Sequence, residues 1–314
     1  MIVDAHVHTF FPGSDPENYL RGCARVGAAF FGRTSGRVGD PGELYESFMG
    51  VLADPTGEKL LDKMAKAKVD RAVLLPLDLW AFRPEEERAP GSTPAAEKNA
   101  QYRDLAATYP DKLVAGFGVD PRRADALERL DAAAKADPPP ACLKLHPSVG
   151  YYPDDPEFDP LYAACVDHGL PVVVHAGNQP APAFSKYCRP VYLDSVAAKF
   201  PDLGIVVAHC GHGWWREAVD VASSKPNLHV DFSGWQVAYR SDPDYFYEAL
   251  RFALDVLGPW RVFWGTDGSL TDVVLEPRRW LRALTRPKSK RGFQFSESEV
   301  EVVAGKAAAK FYGL

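Results

Sequence analysis

Cysteine is scarce and scattered: there are five in 314 residues, Cys23, Cys142, Cys165, Cys188 and Cys210, with no CxxC pair. That excludes a disulfide framework and a cysteine zinc site, and the thiols read as reduced. No basic leader with an apolar run behind it opens the sequence, and no stretch approaches the ~18 consecutive apolar residues of a membrane span. The expectation is a cytoplasmic protein without a membrane partner. Positive charge is in deficit, 36 Lys and Arg against 42 Asp and Glu for a net charge of −6, which argues against a nucleic-acid or anionic-membrane surface. No glycine-rich phosphate loop follows the first strand, and no internal repeat is evident beyond the short run Pro138-Pro139-Pro140.

What is there begins at the first residues. Met1-Ile2-Val3-Asp4-Ala5-His6-Val7-His8 is an apolar strand that ends in two histidines. Alternate strand side chains share a face, so His6 and His8 point the same way and can grip one cation together. Taken alone, the pair is as readily a chance occurrence among eight histidines, and further ligands at later strand ends decide the matter. The stretch from Thr9 to Gly57, rich in Gly, Pro, Arg and aromatic residues, exceeds the ~12–15 residues usual for structureless loops. It reads as a partly helical, lid-like insertion (residues 9–57) within one domain spanning 1–314.

From Glu58 onward strand and helix patterns alternate. Strands are expected at Arg71–Leu75, Leu113–Gly118, Cys142–His146, Val172–His175, Ile205–His209, Leu228–Phe232 and Val262–Trp264. Helical spacing appears around Leu60 to Ala67 and in the stretches 97–109, 124–136, 161–168, 193–200, 215–223, 245–256, 277–284 and 296–312. Eight strands buried on both faces, each followed by a helix, specify an α/β fold: the (β/α)8 TIM barrel with a long insertion after strand 1. The alternative, a doubly wound open sheet, needs a strand-order switch and usually fewer strands.

Barrel active sites lie at the carboxyl ends of the strands. His6 and His8 end strand 1, Lys144 and His146 strand 4, His175 strand 5 and His209 strand 6, while Asp267 follows strand 8. This convergence on one rim is what a metal site requires and what structural histidines do not produce. His168 and His229, placed away from strand ends, are expected to be structural, and His212 is expected to cap the helix that starts at Trp214.

His6-Val7-His8, Lys144-Leu145-His146-Pro147, Val172-Val173-Val174-His175, Ala208-His209-Cys210-Gly211 and Gly265-Thr266-Asp267 together resemble the amidohydrolase superfamily, in its amidohydrolase-related branch, over nearly the whole chain. That branch holds metal-dependent hydrolases and non-oxidative decarboxylases similar to aminocarboxymuconate-semialdehyde decarboxylase. The resemblance implies a divalent metal, zinc or in some members manganese, on His6, His8, His175 and Asp267, and suggests a homodimer. It implies catalytic roles for Asp267, which holds the water and takes its proton, and for His209 as acid/base or substrate-polarising residue. One ion is expected, or two if Lys144 is carboxylated and bridges them as the strand-4 lysine does in binuclear members. Unmodified, Lys144 is a cation for an anionic substrate, and His146 shares its second-metal or substrate-binding place. One departure stands out: Gly268-Ser269 follows Asp267 where the family often has an aromatic residue and proline.

Two enzymatic readings follow. In a hydrolase, a metal-activated water attacks the amide, ester or lactone carbonyl of a small acidic or aromatic substrate. In a decarboxylase, an aromatic or unsaturated carboxylic acid chelates the metal and is protonated at carbon before carbon dioxide leaves. The Lys144-Leu145-His146 strand resembles the hydrolases more, so hydrolysis is placed first. A metal-free binding protein is the third reading, disfavoured because a full ligand set without metal leaves buried polar groups unpaired. Trp80, Trp235 and Arg240 are the candidate substrate contacts, with Arg21, Arg25, Arg33 and Arg37 of the insertion as further anion anchors. Each arginine taken singly is more simply a solvated surface charge.

Overall fold

The computed structural model describes residues 1–314 except Pro12, Thr34, 37–38 and 89–93, so Arg37 lies outside the described residues. Short Val-, Leu- and Ile-rich runs form parallel strands: β1 (Val3–Val7), β2 (Arg71–Leu74), β3 (Leu113–Ala115), β4 (Phe117–Gly118), β5 (Leu143–Leu145), β6 (Val172–Val174), β7 (Ile205–Val207), β8 (Leu228–Asp231) and β9 (Val262–Phe263). They pair in sequence order, β1 to β3 and then β4 to β9. The expected third strand is thus one barrel position broken at Gly116. A side chain there would lie 3.0 Å from the Cys142 sulfur and 3.3 Å from the Leu74 carbonyl oxygen, so any other residue would have to push its neighbours aside.

The ring closes through backbone beyond β9. Ala5 N–H donates to Trp264 O at 3.2 Å, Asp267 N–H to His6 O at 2.8 Å and Ser269 N–H to His8 O at 3.0 Å. The architecture is the (β/α)8 barrel. Closure therefore sets Asp267 directly beside the two histidines of β1.

The insertion carries α1 (Glu17–Gly32) and α2 (Pro41–Leu52), which pack on one another. Around the barrel follow α3 (Glu58–Ala67), α4 (Pro94–Thr108), α5 (Ala126–Ala134), α6 (Asp159–Asp167), α7 (Tyr192–Lys199), α8 (Trp215–Ser224), α9 (Gln236–Ser241), α10 (Pro243–Leu257), α11 (Pro277–Thr285), α12 (Glu297–Glu301) and α13 (Ala307–Tyr312). Side-chain caps start several of them: Asp40 accepts from Gly42 and Glu43 N–H at α2, Asp242 from Asp244 N–H at α10, and Ser296 with Glu299 forms a capping box at α12. Two details depart from the periodicity reading. The short α9 was not anticipated, and the last helix is interrupted between α12 and α13 by a π turn, Val302–Lys306.

Alternate strand residues feed two apolar clusters. Leu143, Leu145, Val172, Val174, Ile205 and Val207 pack outward with the helices, while Val3, Ala5, Val73, Leu75, Val173, Val206 and Phe263 pack together with Ala307, Ala308 and Tyr312 of α13. Each buried Val, Leu or Phe contributes ~1.5–3 kcal/mol. No helix among the described residues is long and apolar enough to cross a membrane.

The insertion is anchored by a buried ion pair, Lys98 Nζ to the Asp15 carboxylate at 2.6 and 2.7 Å. Gly22 brings α1 directly onto the Ala181 carbonyl oxygen in the loop after β6, where any side chain would collide. Helix α1 therefore rests against the strand ends.

Candidate metal centre

His6 and His8 share the inner face of the barrel because the β1–β2 register shifts between Asp4, paired with Ala72, and Val7, paired with Leu74. Their Nε2 atoms lie 3.2 Å apart. Asp267 Oδ1 sits 3.3 Å from His8 Nε2 and 3.7 Å from His6 Nε2. The remote nitrogens are both engaged: His8 Nδ1 with Leu75 O at 2.6 Å, His6 Nδ1 with Asp231 Oδ2 at 3.0 Å. A carbonyl only accepts, so the His8 proton is on Nδ1 and its Nε2 lone pair is free; an ionised Asp231 fixes His6 the same way. His6, His8 and Asp267 thus present three donor atoms to one point.

His175 is placed beside this group but does not join it within 4.8 Å. Its Nδ1 faces His209 Nε2 at 3.1 Å, and its Nε2 faces Gln179 Nε2 at 2.9 Å. A continuous hydrogen-bonded chain results. The Tyr19 hydroxyl donates to Gln179 Oε1 at 2.9 Å, Gln179 Nε2 donates to His175, His175 meets His209, and His209 Nδ1 lies 2.9 Å from Ser233 Oγ. The Ser233 hydroxyl donates to Asp231, whose other oxygen holds His6. Helix α1 is therefore wired to β1 through the His175–His209 pair and Asp231.

Local backbone explains where His209 points. After β7 the chain runs through four consecutive left-handed residues, His209 (φ 58°), Cys210 (φ 44°), Gly211 (φ 67°) and His212 (φ 46°). Such a conformation costs ~1–2 kcal/mol for each L-residue. Bonds from His209 N–H to Asp231 Oδ1 at 2.9 Å and from Trp235 Nε1–H to His209 O at 2.7 Å hold it in place. This path overturns the expected capping role of His212, which makes no cap bond to α8. Its ring instead stacks on His209 with centroids 4.9 Å apart, between Gly177 and Gly234, either of whose side chains would strike it.

Lys144 is buried with Nζ 3.4 Å from His6 Nε2. His146 stacks on His175 at 4.3 Å and holds the Ser148 hydroxyl at 2.7 Å through Nδ1. Burial, reinforced by the Lys144 ammonium, pushes His8 down to about 3 and His6 well below its usual value. Burial likewise lowers His209 to about 4 and His175 well below the ordinary histidine range. Neutral imidazoles are the ligand form. Burial also brings Lys144 down to about 8 and lifts Asp267 to about 6, each opposed by the other's charge. Asp231 stays ionised, because His6, His209 and Ser233 outweigh its burial.

The candidate substrate contacts are dispersed. Trp235 is buried, packed on Phe232 and Phe246, and serves His209 through its indole N–H. Trp80 is half-buried and donates to Arg88 O at 3.3 Å beneath the Arg123 guanidinium. Arg240 and Arg25 are exposed, Arg21 pairs with Glu17 at 2.6 Å, and Arg33 lies over the Phe30 ring. His229 packs on Phe263 and Phe311, and His168 binds Asp131 at 2.7 Å, both away from the cluster. Sequence reasoning missed Asp231, Ser233, Gln179 and Tyr19. Asp231 ends β8 as the other site residues end their strands, so the same rule finds it; the rest carry no comparable signal.

The model of the amidohydrolase family matches residues 3–314. Over 80 residues, 26% of this chain, the sequence is 30% identical to protein fluG of Emericella nidulans, of whose length it spans only 9%. Among solved structures, an uncharacterized TIM-barrel protein from Bordetella bronchiseptica superposes with TM-score 0.70 at 23% identity, covering 100% of this chain and 99% of that one. A 5-carboxyvanillate decarboxylase from Novosphingobium aromaticivorans, complexed with manganese and a nitrobenzoic acid, gives TM-score 0.70 at 18% identity, with 100% and 96% covered. A zinc-bound amidohydrolase from Burkholderia multivorans gives 0.62 at 18% identity, with 100% and 99% covered. At these identities the structures establish likeness of fold.

Proposed function

The chain belongs to the amidohydrolase family, and from that premise we propose that it is a metal-dependent hydrolase of a small carbonyl substrate, an amide, ester or lactone. The residues fit a divalent cation. Two imidazole Nε2 atoms with their protons fixed on the far nitrogens and one carboxylate oxygen converge within 3.2–3.7 Å. Nitrogen and oxygen donors of this kind suit zinc, with manganese as the alternative. His175, which lies beside these three, is proposed as the fourth ligand.

When bound, the cation supplies water activation near neutral pH and polarisation of the substrate carbonyl. The protein's own groups do the rest. Asp267, with its carboxyl near 6, accepts the proton of the attacking water and passes it to the leaving group. His209 is proposed as a base through Nε2, its Nδ1–H being engaged by Ser233 while Trp235 holds its backbone carbonyl. Tyr19 and Gln179 close the mouth from the side of α1 and limit water access. The observation that carries the reading is Asp267, a part-buried carboxylate with Oδ1 3.3 Å from His8 Nε2 and 3.7 Å from His6 Nε2.

A second reading, decarboxylation of an aromatic or unsaturated acid, is favoured by Lys144. Its buried ammonium beside His6 is placed to bind a substrate carboxylate, and the manganese-complexed decarboxylase shares the fold. The two are separated by assaying zinc- or manganese-loaded protein on lactones, esters and amides alongside hydroxybenzoic acids, with a chelated control. Chelator-sensitive hydrolysis without carbon dioxide release is the expected result. Chelator-sensitive carbon dioxide release without hydrolysis replaces the first reading by the second.

A further inference from the structure

Away from the histidine cluster, a cavity of about 600 Å3 opens between α4 and α5 over the broken strand at Gly116. That volume falls within the ~300–1,000 Å3 of small-molecule sites. The space exists because its walls are built from small side chains, including Ala106 and Ala133. Among the described residues, the lining holds three arginines, Arg71, Arg103 and Arg129, and no acidic side chain.

The three cations are not equivalent. Arg129 is in ion-pair contact with Asp125 at 2.8 Å, although its Nε too lacks a hydrogen-bond partner, and Arg103 faces Asp104 at 3.7 Å. Arg71, at the start of β2, is half-buried and makes no ion pair among the described residues. One Nη donates to Pro110 O at 2.9 Å, while its Nε is buried without a hydrogen-bond partner. A buried guanidinium N–H left unmatched beside an apolar space is costly, and a carboxylate satisfies both charge and geometry.

We propose that this cavity is a second ligand site for a small amphipathic carboxylic acid, its carboxylate on Arg71 and its hydrocarbon body between α4 and α5. The site shares no residue with the metal centre and does not depend on the reaction catalysed there. A carboxylic acid offers one anionic end for Arg71 and apolar bulk for the alanine walls. A free phosphate lacks the second and a hydrocarbon the first.

The test is a calorimetric titration of decanoate into the metal-loaded full chain. Four proteins are compared: wild type, Arg71→Met, which keeps the apolar stem, Ala133→Trp, which fills the cavity, and His6→Ala, which disables the metal centre. The expected result is saturable one-site binding that weakens at least tenfold in Arg71→Met and in Ala133→Trp, persists in His6→Ala, and leaves the metal content of the first two unchanged. Absence of saturable binding overturns the proposal, as does binding that survives in both cavity variants or disappears in His6→Ala. If Arg71→Met fails to fold, Ala133→Trp decides alone.

Discussion

The two ends of the same barrel strands are built on opposite terms. At one end Val3, Val73, Val173, Val206 and Phe263 interlock with α13 as an ordinary apolar core. At the other, His6, His8, Lys144, His175 and His209 are buried, with the part-buried Asp267 beside them, within hydrogen-bond distance of one another or nearly so. Burial stabilises the first group and penalises every charged form in the second, as the depressed histidines and Lys144 and the raised Asp267 record. The lesson is that the floor holds the fold together while the mouth is tolerated for its chemistry. His209, Cys210, His212 and Asp267, all non-glycine residues with positive φ, add strain at the mouth.

The comparison breaks most sharply under substitutions that hit one end only. His8→Ala is expected to lower turnover by at least ~10³-fold, since several kcal/mol of transition-state stabilisation pass through the metal, with chemical denaturation showing a folded protein. Phe263→Ala at the floor is expected to do the reverse. It should cost ~3–5 kcal/mol in unfolding free energy while the molecules that remain folded keep their metal content. Asp231→Asn keeps the shape but weakens the hold on His6, and should reduce metal affinity ~10–100-fold in a competitive chelator titration. Lys144→Met removes a buried ammonium and should raise unfolding free energy by ~1–3 kcal/mol while lowering turnover, the signature of a residue kept for function.

A further effect concerns pH. His229, within β8, is lowered to about 4 by burial, with Arg261 adding to it. The unfolded chain binds this proton near 6.5, so the neutral side chain contributes its full stability above that value and loses it as pH falls toward 4. The slope is at most ~1.4 kcal/mol per pH unit. His229→Phe, retaining the stacking on Phe263 and Phe311, should flatten the stability profile between pH 6.5 and 4 by about that amount.

Much of the barrel was legible because strands buried on both faces cannot hide among polar residues; β5 to β8 fall inside the runs the periodicity marks. Strand ends were legible for the same reason, since a histidine or lysine that closes such a run stands out. The break at Gly116 was not, because it depends on the Cys142 sulfur and the Leu74 carbonyl, two strands that only the fold brings together. His212 was misplaced because spacing assumes a helix start, whereas the left-handed path after β7 turns its ring onto His209. Tyr19 and Gln179 come from the insertion and a loop, where no period tells a side chain where to point. Their partnership exists only once Gly22 lets α1 approach Ala181.

The central claim is that His6, His8 and Asp267 form one cation site. It is tested most directly by counting divalent ions per chain in protein purified without chelator, wild type beside His6→Ala, together with the shift in thermal midpoint on adding zinc. The account predicts close to one ion in the wild type, almost none in the variant, and a zinc-dependent rise in midpoint for the wild type alone. No stoichiometric ion in the wild type, with a midpoint indifferent to zinc and manganese, would contradict it.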